Sequence, residues 1–178
     1  MNPNNWFVIC FFCAIATIGS ASYGWLVKQE KLPFNSVMAF NERELQFMKV
    51  WVKVALLLGV ILPLIMWIVF WHEPTQTFFS YYLLVVAVQL TSEISFSRIY
   101  VKSVVVVIGT LYTGFRLWQL WTGLHLITYS QPWLALLWLV FLFWVANMVM
   151  LTLMAIPSIL PKSNSYSLDG NSTIDIEH

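Results

Sequence analysis

Apolar runs of about 20 residues, separated by short polar connections, most restrict how this chain can fold. Asp, Glu, Lys and Arg make up only 10% of the 178 residues, against about 25% in a typical soluble protein. A helix needs about 20 apolar residues to cross the hydrocarbon core of a bilayer. The sequence therefore predicts an all-α, polytopic integral membrane protein whose first partner is the lipid bilayer.

Five such runs are present, and each predicts one transmembrane helix of a single bundle over residues 1–161. The spans are predicted at residues 6–27, 49–71, 78–97, 101–121 and 131–157. Asn41 followed by Glu44 is typical of a capping box, so we expect the second helix to begin before its span does. Residues 162–178 are polar and rich in Ser and Asn, which predicts a disordered tail.

The distribution of Lys and Arg predicts how the helices are oriented. Lys or Arg follows the first, third and fifth spans, whereas the N-terminal segment and the other two connections have neither. Because Lys and Arg favour the cytoplasmic side, we expect the N-terminus outside and the C-terminus on the cytoplasmic or stromal side. A four-span arrangement would break this alternation. The N-terminal segment also lacks the basic residues of a signal peptide, so the first run is predicted to be a retained span.

Most Trp and Tyr residues fall near the predicted ends of the spans, where aromatic side chains favour the membrane interface. Trp51 belongs to this group, at the inner end of the second span. Trp138 and Trp144 are exceptions that lie deeper in the fifth span, and we interpret them as lipid-facing or packing residues.

Glu93 and Arg116 are the only charged residues well inside the apolar runs, and ionisable residues in a membrane are candidate functional groups. At 1.5 Å per residue, their depths in antiparallel neighbouring helices differ by about 13 Å, so no direct salt bridge is expected. In one interpretation, each side chain reaches out to its nearer interface.

The other interpretation is a polar seam between the third and fourth helices. Gln89, Glu93 and Ser97 recur every four residues on one face of the third helix. Polar groups in hydrocarbon are expected to turn inward and bond each other, because an unsatisfied one is costly. Such a seam is either structural or a site for binding or transport. The matching face of the fourth helix carries Gly109, Tyr112, Thr113, Arg116 and Gln119.

Five other residues within the spans are assigned mainly structural roles. Gly59 and Pro63 lie four residues apart in the second span, and the proline predicts a kink because it removes a backbone hydrogen bond. Asn147 is expected to form a hydrogen bond between helices. Cys10 and Cys13 match Cys-x-x-Cys, but they lie in an apolar helix rather than a βαβ unit, so we interpret them as packing residues.

Motifs for catalysis or cofactor binding are missing from the sequence, which has no Gly-rich phosphate loop, His-Glu-x-x-His or serine elbow. The three histidines share no ligand spacing with the cysteines. We therefore expect no enzymatic activity, no cofactor, no metal and no nucleic-acid partner. The leading hypothesis is an accessory or assembly subunit that packs against membrane-protein partners or copies of itself. The alternative is a small transporter or channel that uses the polar seam.

Short motifs in the C-terminal half resemble those of a family of uncharacterised multi-spanning membrane proteins from plants and cyanobacteria. The resemblance implies a plasma-membrane, thylakoid or plastid-envelope setting. It implies no activity, since the family has none assigned. The residues that carry it are Phe96-Ser97, the Tyr112 and Arg116 that follow, Ala146-Asn147-Met148-Val149 and Leu160-Pro161-Lys162.

Overall fold

The chain is helical throughout most of its length in a computed structural model, which describes residues 4–38, 40–71, 75–126 and 130–160. Single π-helical turns at Leu57–Ile61 and Leu151–Ala155 join α2 to α3 and α6 to α7. The helices are α1 (Asn4–Lys28), α2 (Glu42–Leu56), α3 (Leu62–Val69), α4 (Thr75–Ile99), α5 (Val104–Leu126), α6 (Trp133–Met150) and α7 (Ile156–Ile159).

Five helical segments are long and apolar enough to cross a membrane, and each coincides with one of the predicted spans. Their bounds differ from the predicted ones, because backbone hydrogen bonds continue a helix into polar residues that do not count toward a span. The helix at Thr75–Ile99 is longer than the predicted 78–97, and Val104–Leu126 is shifted from the predicted 101–121. The predicted disordered tail, residues 162–178, lies outside the described residues.

The N-terminus of α2 has the capping box that the sequence predicts. The amide of Glu44 donates a hydrogen bond of 2.9 Å to Oδ1 of Asn41, and the amide of Asn41 donates one of 2.9 Å to Oε2 of Glu44. These bonds satisfy amides that a helix start otherwise leaves without partners. The helix accordingly begins at Glu42, before the predicted span at residue 49.

Basic residues gather at one end of the bundle, where the connection between α1 and α2 ties several helix ends together. Nζ of Lys28 donates to the carbonyl of Ile99 at 3.0 Å. The amide of Asn35 donates to the carbonyl of Ile159 at 2.9 Å. The ends of α1, α4 and α7 therefore lie on the same side, as an alternating five-helix bundle requires. We name this side the basic end, and its residues are Lys28, Lys31, Arg43, Arg98 and Lys102.

The bundle has an apolar surface, unlike a soluble protein, and it buries several polar groups among the apolar residues of its interior. The interior of the bundle buries Arg116, Gln89 and Asn147, while large apolar side chains such as Phe7 and Leu153 are exposed at its periphery. Helix α5 lies centrally and packs against α1, α4 and α6. This distribution suits a hydrocarbon solvent, in which polar groups find their partners only inside the protein.

A proline follows each π turn by two residues, at Pro63 and Pro157. In the first turn the amide of Leu62 donates to the carbonyl of Leu57, five residues back rather than the four of an α-helix. Proline has no N–H and its ring crowds the carbonyl four residues earlier, which disturbs an α-helix. The wider π turn is the form that this disturbance takes. The structure thus places a helix irregularity at Gly59 and Pro63, where the sequence predicts a kink.

Candidate functional site

A cavity of about 230 Å³ separates α2 from the rest of the bundle. Its walls come from α2 and the π turn on one side, and from α4, α5, α6 and the second π turn on the other. None of the residues of α2 is buried, whereas α3 buries Pro63 and Met66. The chain is therefore packed less deeply before the first π turn than after it.

The cavity lies next to the exposed surface of α2 and α4. Three of its lining residues are also exposed at the apolar periphery: Val52 and Leu56 of α2, and Leu90 of α4. Most of the lining is apolar. Its polar and indole-bearing residues are Trp51, Gln89, Glu93, Thr113, Arg116, Trp144 and Asn147.

Arg116 is a buried cation, with only 2% of its surface exposed. Its guanidinium carbon lies 4.3 Å from the ring centre of Trp144 and 5.9 Å from that of Tyr82. Ring faces attract a cation in this geometry, but they do not use its hydrogen-bond donors. Nε of Arg116 has no hydrogen-bond partner. Arg116 therefore lies inside the bundle, and it does not reach out to the headgroups as one of the two interpretations expected.

Glu93 lines the same cavity and is held by Gln89, one helical turn away. Nε2 of Gln89 donates a hydrogen bond to Oε1 of Glu93, while Oε1 of Gln89 is buried without a partner. Glu93 and Arg116 interact electrostatically. Within the part of the chain that the structure describes, no hydrogen bond joins the two. Opposite charges therefore line one cavity without direct contact.

Asn147 joins three helices at the wall of the cavity. Its Oδ1 accepts a hydrogen bond of 2.7 Å from Nε1 of Trp51 in α2. Its Nδ2 donates one of 3.0 Å to Oγ1 of Thr113 in α5. Both the acceptor and a donor of this buried amide are thus engaged, which makes Asn147 a structural element of the site.

Three residues of the predicted seam, Ser97, Tyr112 and Gln119, do not line the cavity. Oγ of Ser97 donates to the carbonyl of Ile94 in its own helix at 3.2 Å. The hydroxyl of Tyr112 lies 3.1 Å from Oγ1 of Thr17 in α1, on a different side of α5 from the cavity. Tyr112 nevertheless packs in one apolar cluster with Val85 of α4, and the membership of Ser97 and Tyr112 in the seam between α4 and α5 stays a prediction.

Sequence reasoning missed the role of Trp144. Rather than only filling space, its ring lies against Arg116, and its Nε1 donates a hydrogen bond of 2.9 Å to the hydroxyl of Tyr82. One signal could have indicated this position. Trp144 lies three residues before Asn147 and so shares a helix face with it.

Metal binding has no support in the described parts of the chain, where no group of three His, Cys, Asp or Glu residues could hold an ion. The predicted lack of a cofactor stays a prediction. What the cavity offers is a cation, a carboxylate, an unpaired amide oxygen and an apolar wall. These groups suit binding by charge and hydrogen bonding.

Comparison of the chain with protein-family models, with curated proteins and with solved structures finds no match. The resemblance to the plant and cyanobacterial membrane proteins therefore stays a prediction.

Proposed function

We propose that this protein is a small membrane transporter of five spans that binds its ligand in the cavity at Arg116. The N-terminus lies outside, and the basic end faces the cytoplasm or its stromal equivalent. The observation that carries the proposal is the position of Arg116, which is almost wholly buried, lines the cavity and leaves its Nε without a hydrogen-bond partner.

The hydrogen bonding around the cavity favours a binding site over a purely structural seam. A structural seam satisfies its polar groups internally, as Asn147 does with Trp51 and Thr113. By contrast, Nε of Arg116 and Oε1 of Gln89 have no hydrogen-bond partners. Buried polar atoms without partners are costly. A ligand in the cavity that bonds these atoms would offset that cost.

The depth of the cavity also suits transport. Its lining includes Val105, at the start of α5 near the basic end, and extends to Arg116. At 1.5 Å per residue, Arg116 lies about 18 Å along α5 from Val104. That distance is slightly more than half the thickness of a hydrocarbon core of about 30 Å. A ligand at Arg116 would therefore lie near the middle of the bilayer, where an alternating-access carrier binds its substrate.

An accessory or assembly subunit, the leading hypothesis from the sequence, has no need of such a cavity. It stays a prediction. Purification in mild detergent, with identification of the chains that co-purify, tests it.

Cysteine accessibility tests the transporter proposal. Val105→Cys places a thiol in the cavity lining, and Ile108→Cys places one on the same helix in the fully buried core, away from the cavity. Both are made after replacing Cys10 and Cys13 by Ser. We expect a small hydrophilic thiol reagent to label position 105 and to leave position 108 protected. Equal protection of both thiols would show that water does not reach the cavity and would overturn the proposal.

A further inference from the structure

We infer a ligand class for this cavity: a zwitterion with an apolar body, its anionic group at Arg116 and its ammonium group at Gln89 and Glu93. The inference rests on the proposed binding function of the cavity and specifies its substrate.

The first argument is charge. Arg116 and Glu93 carry opposite formal charges, and they line one cavity without a hydrogen bond between them among the described side chains. A simple anion at Arg116 would leave a net negative charge in the cavity, and a simple cation at Glu93 would leave a net positive one. Because unpaired buried charges are strongly disfavoured, the best occupant places one charge of each sign in the cavity.

The hydrogen-bonding groups of the lining favour the same orientation of the ligand, with its anionic group at Arg116. Two atoms of the lining residues are buried without a hydrogen-bond partner: one is a donor, Nε of Arg116, and the other is an acceptor, Oε1 of Gln89. The amide nitrogen of Gln89 is already committed to Glu93. A guanidinium fork pairs with the two oxygens of a carboxylate or phosphate. An ammonium group supplies donors for the amide oxygen and the carboxylate.

Size and wall chemistry define the rest of the molecule. A volume of about 230 Å³ is below the roughly 300–1,000 Å³ of pockets that hold drug-sized ligands. The apolar wall includes Val52, Leu56, Val86 and Leu90. The space suits an apolar α-amino acid. It equally suits the headgroup of an ethanolamine phospholipid whose chains would lie against the exposed lining residues of α2 and α4. Both sources share the same zwitterionic chemistry.

Three probes with one apolar body test the charge requirement on the purified full-length protein in mild detergent. Leucine is the zwitterion, leucinamide carries only the cation, and 4-methylpentanoate carries only the anion. A lipid arm measures which phospholipid the protein retains in mixed micelles, by native mass spectrometry. Its probes are phosphatidylethanolamine, phosphatidylcholine, which lacks ammonium donors, and phosphatidylglycerol, which lacks the cation.

We expect the zwitterion with free ammonium donors to bind at least about tenfold more tightly than its matched probes, a difference of about 1.4 kcal/mol. Binding of leucine would indicate that the ligand is a water-soluble zwitterion. Selective retention of phosphatidylethanolamine would indicate that it is a lipid headgroup. Arg116→Gln and the near-isosteric Glu93→Gln should each remove this preference. Arg98→Gln and Glu42→Gln are the matched controls, since both residues are exposed and lie outside the cavity lining, and they should leave it unchanged.

Two results would overturn the ligand class and leave the transporter proposal standing. One is binding of 4-methylpentanoate as tight as that of leucine and unaffected by Glu93→Gln. The other is labelling of Val105→Cys without binding of leucine or selective retention of phosphatidylethanolamine. Protection of Val105→Cys would instead overturn the transporter proposal itself.

Discussion

The hydroxyl of Tyr82 donates a hydrogen bond of 3.0 Å to the carbonyl of Gly59, in the π turn that separates α2 from α3. In an α-helix that carbonyl would accept from residue 63, but Pro63 has no N–H to give. The same hydroxyl accepts from Nε1 of Trp144 at 2.9 Å. Because Trp144 lies against Arg116, one continuous set of contacts connects the π turn to the charged wall of the cavity.

Removing the hydroxyl with Tyr82→Phe should destabilise the protein. The change leaves the Gly59 carbonyl and the Trp144 indole without this buried partner, and hydrogen bonds between helices in a membrane contribute about 0.6–2 kcal/mol each. We expect a clear fall in the melting temperature in detergent. Tyr81→Phe is the matched control on the same helix, since Tyr81 packs by its ring against Trp6. A similar melting temperature for both variants would contradict the proposed importance of the Tyr82 bond.

Gly59→Ala should be destabilising for steric reasons. A Cβ at residue 59 would lie 2.4 Å from Cζ2 of Trp144, far closer than two carbons can approach, so the indole that lies against Arg116 must move. Gly19→Ala is the control, because a Cβ there meets nothing within 4 Å. In a helix, alanine is favoured over glycine by about 0.5–1 kcal/mol. Thermal melts should therefore show a loss of stability for Gly59→Ala and none for Gly19→Ala. The same outcome for both variants would contradict the steric clash with Trp144.

Asn147→Leu should weaken the attachment of α2 to the bundle. The substitution removes the bonds to Trp51 and to Thr113, and it leaves an indole N–H and a hydroxyl without those partners at a cost of about 1–3 kcal/mol. Thr113→Val, which keeps the shape of the side chain, removes only the second bond. Denaturation in detergent should rank wild type above Thr113→Val and Thr113→Val above Asn147→Leu. If Asn147→Leu is as stable as wild type, the three-helix junction contributes no stability.

The proposed orientation predicts which exposed sites react from outside an intact cell. Ser130→Cys lies before α6 at the end of the bundle opposite the basic end, and Gln29→Cys lies at the basic end. With Cys10 and Cys13 replaced, an impermeant thiol reagent should label position 130 and not position 29. Both should react after the membrane is made permeable. Labelling of position 29 in intact cells would show that the basic end faces outward and would contradict the proposed orientation.

The five long apolar helical segments and the start of α2 follow from local information. An apolar run of about 20 residues is sufficient to predict a spanning helix, and the pairing of Asn41 with Glu44 depends on backbone amides only three residues away. The same holds for the irregularity at Pro63, since the missing N–H belongs to the residue itself. Charge alternation likewise needs only the order of the connections, and the basic end agrees with it.

The composition of the seam was only partly predictable, because periodicity shows which residues share a face and not which neighbour that face meets. Residues four apart on an α-helix are rotated by about 40°. On the central helix α5, that angle is enough for Tyr112 to bond Thr17 of α1 while Arg116 faces the cavity.

Sequence by itself determined the all-helical class, the five segments long and apolar enough to cross a membrane and the residues able to carry charge inside the bundle, since each depends on local composition and hydrogen bonding. Only the tertiary structure decided that Glu93 and Arg116 line one cavity, that Trp144 lies against the cation, and that Tyr82 caps the carbonyl of Gly59. Those contacts join residues far apart in the chain, and they depend on the rotation and spacing of packed helices.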